Sequence, residues 1–116
     1  MSYTTEQIAA LIESIGLPYA YYQFPDDDPN NPAPPPPFIC FYYPNSDNFS
    51  ADNAVYARVD ALIVELYTDE KDFAREAAVE AALNGAELPW DKSETYIESQ
   101  RMYMTTYTTE VYIKNA

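Results

Sequence analysis

Histidine is absent from this chain of 116 residues, and cysteine and glycine are nearly absent, with one and two residues respectively. Without imidazole, the sequence lacks the usual general base, the usual member of a catalytic triad and a common metal ligand. The single thiol, Cys40, has no imidazole to activate it and no second cysteine for an internal disulfide. Two glycines are too few for phosphate-cradling loops or dinucleotide fingerprints. We therefore expect no enzyme, no catalytic residues, no cofactor and no metal site.

Carboxylates are the one catalytic group that the chain has in excess. A hydrolase built on a carboxylate pair needs two of them facing each other across the substrate. Their spacing in the sequence selects no such pair, although four glutamates could converge on the predicted strands: Glu65, Glu94, Glu98 and Glu110.

Basic residues are scarce, with 6 lysines and arginines against 19 aspartates and glutamates, so the net charge is -13. Such a surface repels phosphate groups and lacks the cationic patch that nucleic-acid binding needs. We therefore expect no direct binding of DNA or RNA. The same charge suits a surface past which DNA slides, a protein that imitates DNA, or simple solubility, and composition does not separate these.

Long apolar runs are also missing, because no stretch reaches the roughly 18 apolar residues that span a membrane. The N-terminal residues show no secretory signal pattern, and neither end carries a lipidation motif. Cys40 lies in the apolar run 38–43, where we expect a buried thiol in a reducing compartment. These features predict a soluble protein, made in the cytoplasm, that does not contact a membrane.

Hydrophobic residues make up 47% of the chain and twelve residues are tyrosines, which predicts one folded domain over residues 1–116. The first helix begins at a Thr4 cap, with Gln7 three residues on, and ends at Gly16. A second, alanine-rich helix is predicted over residues 73–84, capped by Asp69 or Asp72 and ended by Gly85.

Five strands are predicted from aromatic and alternating segments, at residues 19–24, 38–43, 55–67, 92–97 and 102–113. The first two are expected to pair across the loop between them. The element order α-β-β-β-α-β-β predicts an α+β fold, an antiparallel sheet of about five strands with both helices packed on one face.

Residues 25–37 contain seven of the ten prolines and three consecutive aspartates. This composition predicts an extended, projecting proline-rich loop that lies outside the core. It is interpreted either as an arm that reaches a neighbouring subunit or partner, or as a tolerated surface insertion.

Several segments together carry a family resemblance. The longest is residues 47–72, which read as a turn cluster, a long strand and a helix start. The others are the opening helix with its Gly-Leu-Pro-aromatic turn, residues 38–43, residues 93–99 and the pair Met102-Tyr103. In these segments, which cover most of the chain, the sequence resembles the tail terminator, or tail completion, proteins of long-tailed bacteriophages.

The resemblance implies a structural role in virion assembly. Proteins of this family form an antiparallel sheet flanked by helices and close into a hexameric ring. The ring caps the finished tail tube, stops its growth and offers the surface to which the head attaches. For this chain the resemblance implies a homo-oligomeric ring, with the tail tube protein and the head-tail connector protein as partners, at the head-proximal end of the virion tail.

Six residues near the start of the long strand and near the last hairpin are predicted to make subunit contacts: Phe49, Tyr56, Arg58, Tyr96, Arg101 and Tyr103. Each of them can instead pack locally, and for Tyr96 a place in the core is favoured. Arg58 and its neighbour Asp60 are expected to be solvated at the rim of the sheet.

Two further functions remain open beside the tail terminator. One is another neck or stopper component of the same virion. Separately, the proline-rich loop and the large negative charge depart from compact members of the family. The other is an acidic DNA mimic that inhibits a DNA-binding enzyme, which would need carboxylates spaced like phosphates along one surface.

Overall fold

The computed structural model describes residues 2–24, 34–51 and 54–114, and for residues 49–51 and 54–57 it describes the backbone alone. The predicted α+β fold is confirmed, with two helices against a mostly antiparallel sheet. In chain order the elements are β1 (Ser2–Tyr3), α1 (Thr5–Glu13), β2 (Tyr19–Tyr21), β3 (Phe38–Tyr42), β4 (Phe49–Ala51), β5 (Ala54–Thr68), α2 (Phe73–Gly85), β6 (Asp91–Ile97) and β7 (Met102–Ile113).

The two longest strands, β5 and β7, form the centre of the sheet. They pair antiparallel from Arg58 opposite Ile113 to Thr68 opposite Tyr103. Along its other edge β5 pairs with β3 and β4, and β7 pairs with β6 and β1. Strand β2 lies outside β3. The sheet is therefore wide but depends on a single long pair.

Two strand pairs are parallel, which the sequence did not predict. Strand β2 runs parallel to β3, with Tyr19 opposite Ile39, and the very short β1 runs parallel to β7. The connection between β2 and β3 is long enough to return the chain to the end from which it started, as a parallel pair requires. Strand β1 has two residues, too few for any alternating pattern.

The helix ends follow the predicted capping rules, with one exception. Thr4 and Gln7 form a capping box on α1, and the side chain of Asp72 accepts a hydrogen bond from the backbone of α2. Gly16 has the positive φ, +90°, expected after a helix. Gly85 does not take that role, because it is the last residue of α2 and the left-handed position falls on Glu87, at φ 59°.

The core lies between the two helices and one face of the sheet. Alternation along the central pair places even-numbered residues of β5 and odd-numbered residues of β7 on this face. The fully buried aliphatic residues there are Ile8, Ile12, Ile39, Leu62, Leu66, Leu83, Val64, Val79 and Val111. On the opposite face, which we call the open face, Cys40 and Val59 are buried, and the other described residues of β3, β5 and β7 are half-buried or exposed.

Neither helix in the described ranges is long and apolar enough to cross a membrane.

Adjacent residues of β5 test the assignment of the two faces. Leu62 is fully buried under the helices, whereas Ile63 lies on the open face. We expect Leu62→Ala to lower the free energy of unfolding by about 3 kcal/mol and Ile63→Ala by about 1 kcal/mol, because only the first leaves an enclosed cavity. Urea denaturation of the purified protein measures both values. Equal losses would show that the open face is covered as well.

Candidate functional site

The turn between β6 and β7 brings three of the six predicted contact residues together. Tyr96 and Tyr103 pack edge to face with ring centroids 4.9 Å apart, and Arg101 lies in the turn with a positive φ of 51°. Tyr96 is 47% exposed, so its predicted place in the core is wrong. It belongs to β6, an edge strand that pairs with β7 and has no other described strand on its outer side. The turn thus presents an exposed aromatic residue beside a cation.

Arg58 lies at the other end of the central pair. Its guanidinium makes two hydrogen bonds to the carboxylate of Asp60, with Nη2 to Oδ2 at 2.9 Å and Nε to Oδ1 at 3.3 Å. The hydrogen bond and the charge of Asp60 raise the pKa of Arg58. Asp60 is only 3% exposed, so the prediction that it is solvated is wrong. The ion pair occupies the inward-facing position that the alternation of β5 gives to Asp60.

A shallow depression of about 410 Å³ surrounds this pair. It is lined by Arg58, Asp60, Tyr43, Asn45 and Ser46. The hydroxyl of Tyr43 is buried there and has no hydrogen-bond partner among the described residues. Burial raises the pKa of Tyr43 to about 12, with smaller contributions from Tyr21 and Asp60. The half-exposed guanidinium of Arg58 is therefore the group at this end that a partner could reach, whereas the Tyr43 hydroxyl is closed off from solvent.

The last two predicted contact residues, Phe49 and Tyr56, have side chains outside the described part of the structure. Their backbones belong to the paired strands β4 and β5, beside Arg58. The six predicted residues therefore divide into two groups at opposite ends of β5. Arg58 and Thr68, opposite Tyr103, are ten residues apart, or ~33 Å along the strand.

A network of charged groups joins α2 to β6 and β7. Glu76 is buried, and its two carboxylate oxygens lie 2.7 Å from the ammonium groups of Lys71 and Lys92. Lys92 also bonds Glu80, which accepts a hydrogen bond from Tyr107 at 2.7 Å. Burial acts to raise the pKa values of Glu76 and Glu80, but both are lowered, by Lys71 and Lys92 for Glu76 and by Lys92 and the Tyr107 hydrogen bond for Glu80.

Most of the lysines and arginines form ion pairs within the chain. Arg58, Lys71, Arg75 and Lys92 are all paired, whereas Arg101 and Lys114 make no ion pair with a described residue. Ten carboxylates in the described ranges also make no ion pair: Glu6, Glu13, Asp47, Glu65, Asp69, Glu70, Glu87, Asp91, Glu98 and Glu110. The charge that faces outward is therefore strongly negative.

The four glutamates that could form a catalytic pair do not converge. Glu65 lies on the open face and Glu94 on the helix face, while Glu98 lies in the turn beyond β6. Glu110 pairs with Ala61, four residues along β5 from Glu65, or ~13 Å. In the part of the chain that the structure describes, no three metal-ligating side chains come together.

Sequence reasoning missed Glu76 and named Glu65 only as one of four glutamates that could converge. Glu76 was given no role, because its burial against Lys71 and Lys92 depends on how α2 packs beside β6. Glu65 had a visible signal, since it is the one charged residue in the apolar half of β5. An isolated charge in such a strand indicates either a buried partner or a binding site.

No family model and no curated protein sequence matches this chain. Its fold is similar to that of a chain in a structure described as "Virion of native gene transfer agent (GTA) particle". The similarity has a TM-score of 0.57 at 16% sequence identity and covers 90% of this chain and 84% of the other. At 16% sequence identity, this similarity shows a shared fold and does not by itself show a shared function.

The charged network makes a prediction about stability and pH. Glu76→Gln should lower the free energy of unfolding by about 2 kcal/mol at pH 7, because hydrogen bonds to two ammonium groups are weakened. Since the folded pKa of Glu76 is lowered, its contribution is present above the unfolded value, about 4.3, and is lost as the pH falls through the folded value. Denaturant unfolding should show the largest difference from wild type at pH 7 and a smaller one at pH 3.

The matched control is Glu70→Gln, an exposed carboxylate without an ion pair in the described structure. It should leave stability unchanged at both pH values. An equal loss for the Glu76 variant at pH 3 would mean that packing, not charge, explains the effect.

Proposed function

We propose that this chain is a structural, non-enzymatic component of a phage-like virion, and specifically a tail terminator. In this proposal it forms a ring, a hexamer by the family resemblance, on the end of the tail tube. The ring stops tube growth and provides the surface to which the head-tail connector binds. The observation that carries the proposal is the fold similarity to a chain of a virion particle over 90% of this chain.

A ring of identical subunits requires two separate contact surfaces on each subunit. In a cyclic ring each subunit uses two different surfaces, one for each neighbour. The predicted contact residues lie in two such groups, at opposite ends of β5. One group presents the exposed Tyr96 with Arg101, and aromatic residues and arginine are the types that contribute most at interfaces. The other presents the depression at Arg58. This separation supports a head-to-tail arrangement of subunits.

The outward negative charge fits the same role. A ring at the neck of a virion must let DNA pass without adhering to it. In such a ring, those of the ten unpaired carboxylates of the described ranges that faced the lumen would repel phosphate. Four of the six cations meanwhile hold the subunit together, so few remain to attract DNA.

A second candidate is the acidic DNA mimic, which the same unpaired carboxylates favour. A mimic would bind a basic DNA-binding protein tightly as a monomer, whereas a terminator would bind the ends of tail tubes. A third candidate is another neck or stopper component. Loss of such a protein would leave the tail length normal, whereas loss of a terminator would not.

Disruption of the reading frame in the phage or particle that encodes this chain tests the function directly. We expect overlong tubes, or finished tails without heads, because nothing then covers the growing end. Electron microscopy with counts of tail length and of joined heads measures this. Normal, infectious particles would contradict any assembly role and favour the mimic.

Arg101 tests the predicted subunit contact. Arg101→Glu should reduce the number of capped tails severalfold. Arg101 is one of two cations that have no ion pair in the described structure, and the substitution puts a negative charge in its place, of the same sign as the rest of the surface. Stability should not change, since the side chain is exposed. Arg101→Lys, which keeps the charge, is the control and should assemble. Normal capping by the Glu variant would remove Arg101 from the interface.

A further inference from the structure

The open face of the sheet carries a groove of about 370 Å³ beside β3. Five aromatic side chains and one carboxylate form most of its lining: Tyr22, Phe24, Phe38, Tyr42, Tyr67 and Glu65. It lies on the face that neither helix covers, and Gln100, next to Arg101 in the turn between β6 and β7, also lines it. No role considered so far uses it.

Strand register places Glu65 between two aromatic pairs. Cys40 lies opposite Glu65, with Phe38 opposite Tyr67 on one side and Tyr42 opposite Ile63 on the other. Phe38 stacks on Tyr67 with centroids 4.8 Å apart, and Tyr22 packs edge to face on Tyr42 at 5.2 Å. The carboxylate therefore lies at the bottom of a slot with aromatic walls.

Glu65 is half-buried without a cation. The hydroxyl of Tyr67 donates a hydrogen bond to Oε1 of Glu65 at 3.0 Å, and no described lysine or arginine forms an ion pair with it. By contrast, Glu76, a buried carboxylate on α2, has two lysines. Burial raises the pKa of Glu65, which is the opposite of what a neighbouring cation does.

A desolvated carboxylate among aromatic faces matches one kind of ligand. A guanidinium group is planar, stacks on aromatic rings and pairs with a carboxylate through two hydrogen bonds. The net charge of -13 attracts a basic partner protein. We propose that this groove receives an arginine side chain from a basic partner protein, with Glu65 as its counter-ion and Tyr22, Tyr42 and Phe38 as its walls.

This interaction goes beyond the proposed function and stands without it, since it can be tested on the isolated chain. The probe is Nα-acetyl-arginine amide, titrated into ¹⁵N-labelled protein and followed by NMR. Nα-acetyl-citrulline amide, which has the same shape without the charge, is the matched ligand. Glu65→Gln is the test variant. Glu110→Gln is the control, because Glu110 lies on the same face but outside the groove.

We expect saturable shifts of the Cys40, Glu65 and Tyr67 amides with the arginine probe, and at least about tenfold weaker binding of the citrulline probe. Glu65→Gln should weaken the arginine probe by a similar factor, whereas Glu110→Gln should not. The arginine probe should also lower the pKa of Glu65, and its affinity should fall as the pH drops and the carboxylate is protonated.

Equal binding of the two probes to the wild-type protein would overturn the proposal even if Glu65→Gln failed to fold. Unchanged binding of the arginine probe by a folded Glu65→Gln protein would overturn it too. A neutral proline-rich peptide that bound both proteins more tightly than the arginine probe would show an apolar docking site in place of the arginine site.

Discussion

The antiparallel pairing of β5 with β7 determines where every other part of this molecule lies. The pair runs from Arg58 to Thr68 without a break in register, and each strand uses its outer edge twice, for two shorter strands. Because side chains alternate along a strand, this one register also separates the two faces. One face buries the aliphatic core under both helices, and the other presents the groove at Glu65. The two ends of the pair carry the candidate contact groups.

The small number of lysines and arginines is a second constraint, on both the stability of the fold and the charge of its surface. With six cations in the chain, each position of a lysine or arginine matters, and four of them neutralise carboxylates close to the core or at a helix cap. Stability and outward charge are thereby linked. The cations that stabilise the fold are unavailable to partners, so the surface remains negative, with Arg101 and Lys114 as the exceptions among the described residues.

Local patterns in the sequence were sufficient for the helices and the long strands. The Thr4 capping box, the Asp72 cap and the alternation of β5 and β7 depend on neighbours along the chain, and all are present. The predictions were wrong where residues distant in the sequence determine burial or strand direction. The burial of Asp60, the exposure of Tyr96 and the parallel direction of β2 depend on which strand lies alongside, which residue spacing does not encode.

The residues of the candidate site also divide into those that the sequence indicated and those that it did not. Arg58, Tyr96, Arg101 and Tyr103 were selected as residues near strand ends, and the structure places them at two ends of the central pair. The contribution of Glu76 was not predictable, because its lysines lie 5 residues before it and 16 residues after it in the printed sequence. Glu65 was visible as a lone charge, but its aromatic walls come from three separate segments.

The central claim, that this chain closes the end of a tail tube, is tested most directly by electron cryomicroscopy of intact particles from its source. The account predicts density that fits this fold in a ring between the tail tube and the head connector, with the ends of β5 at the subunit boundaries. Particles that lack the chain, or that carry it anywhere except the head-proximal end of the tail, would contradict the account.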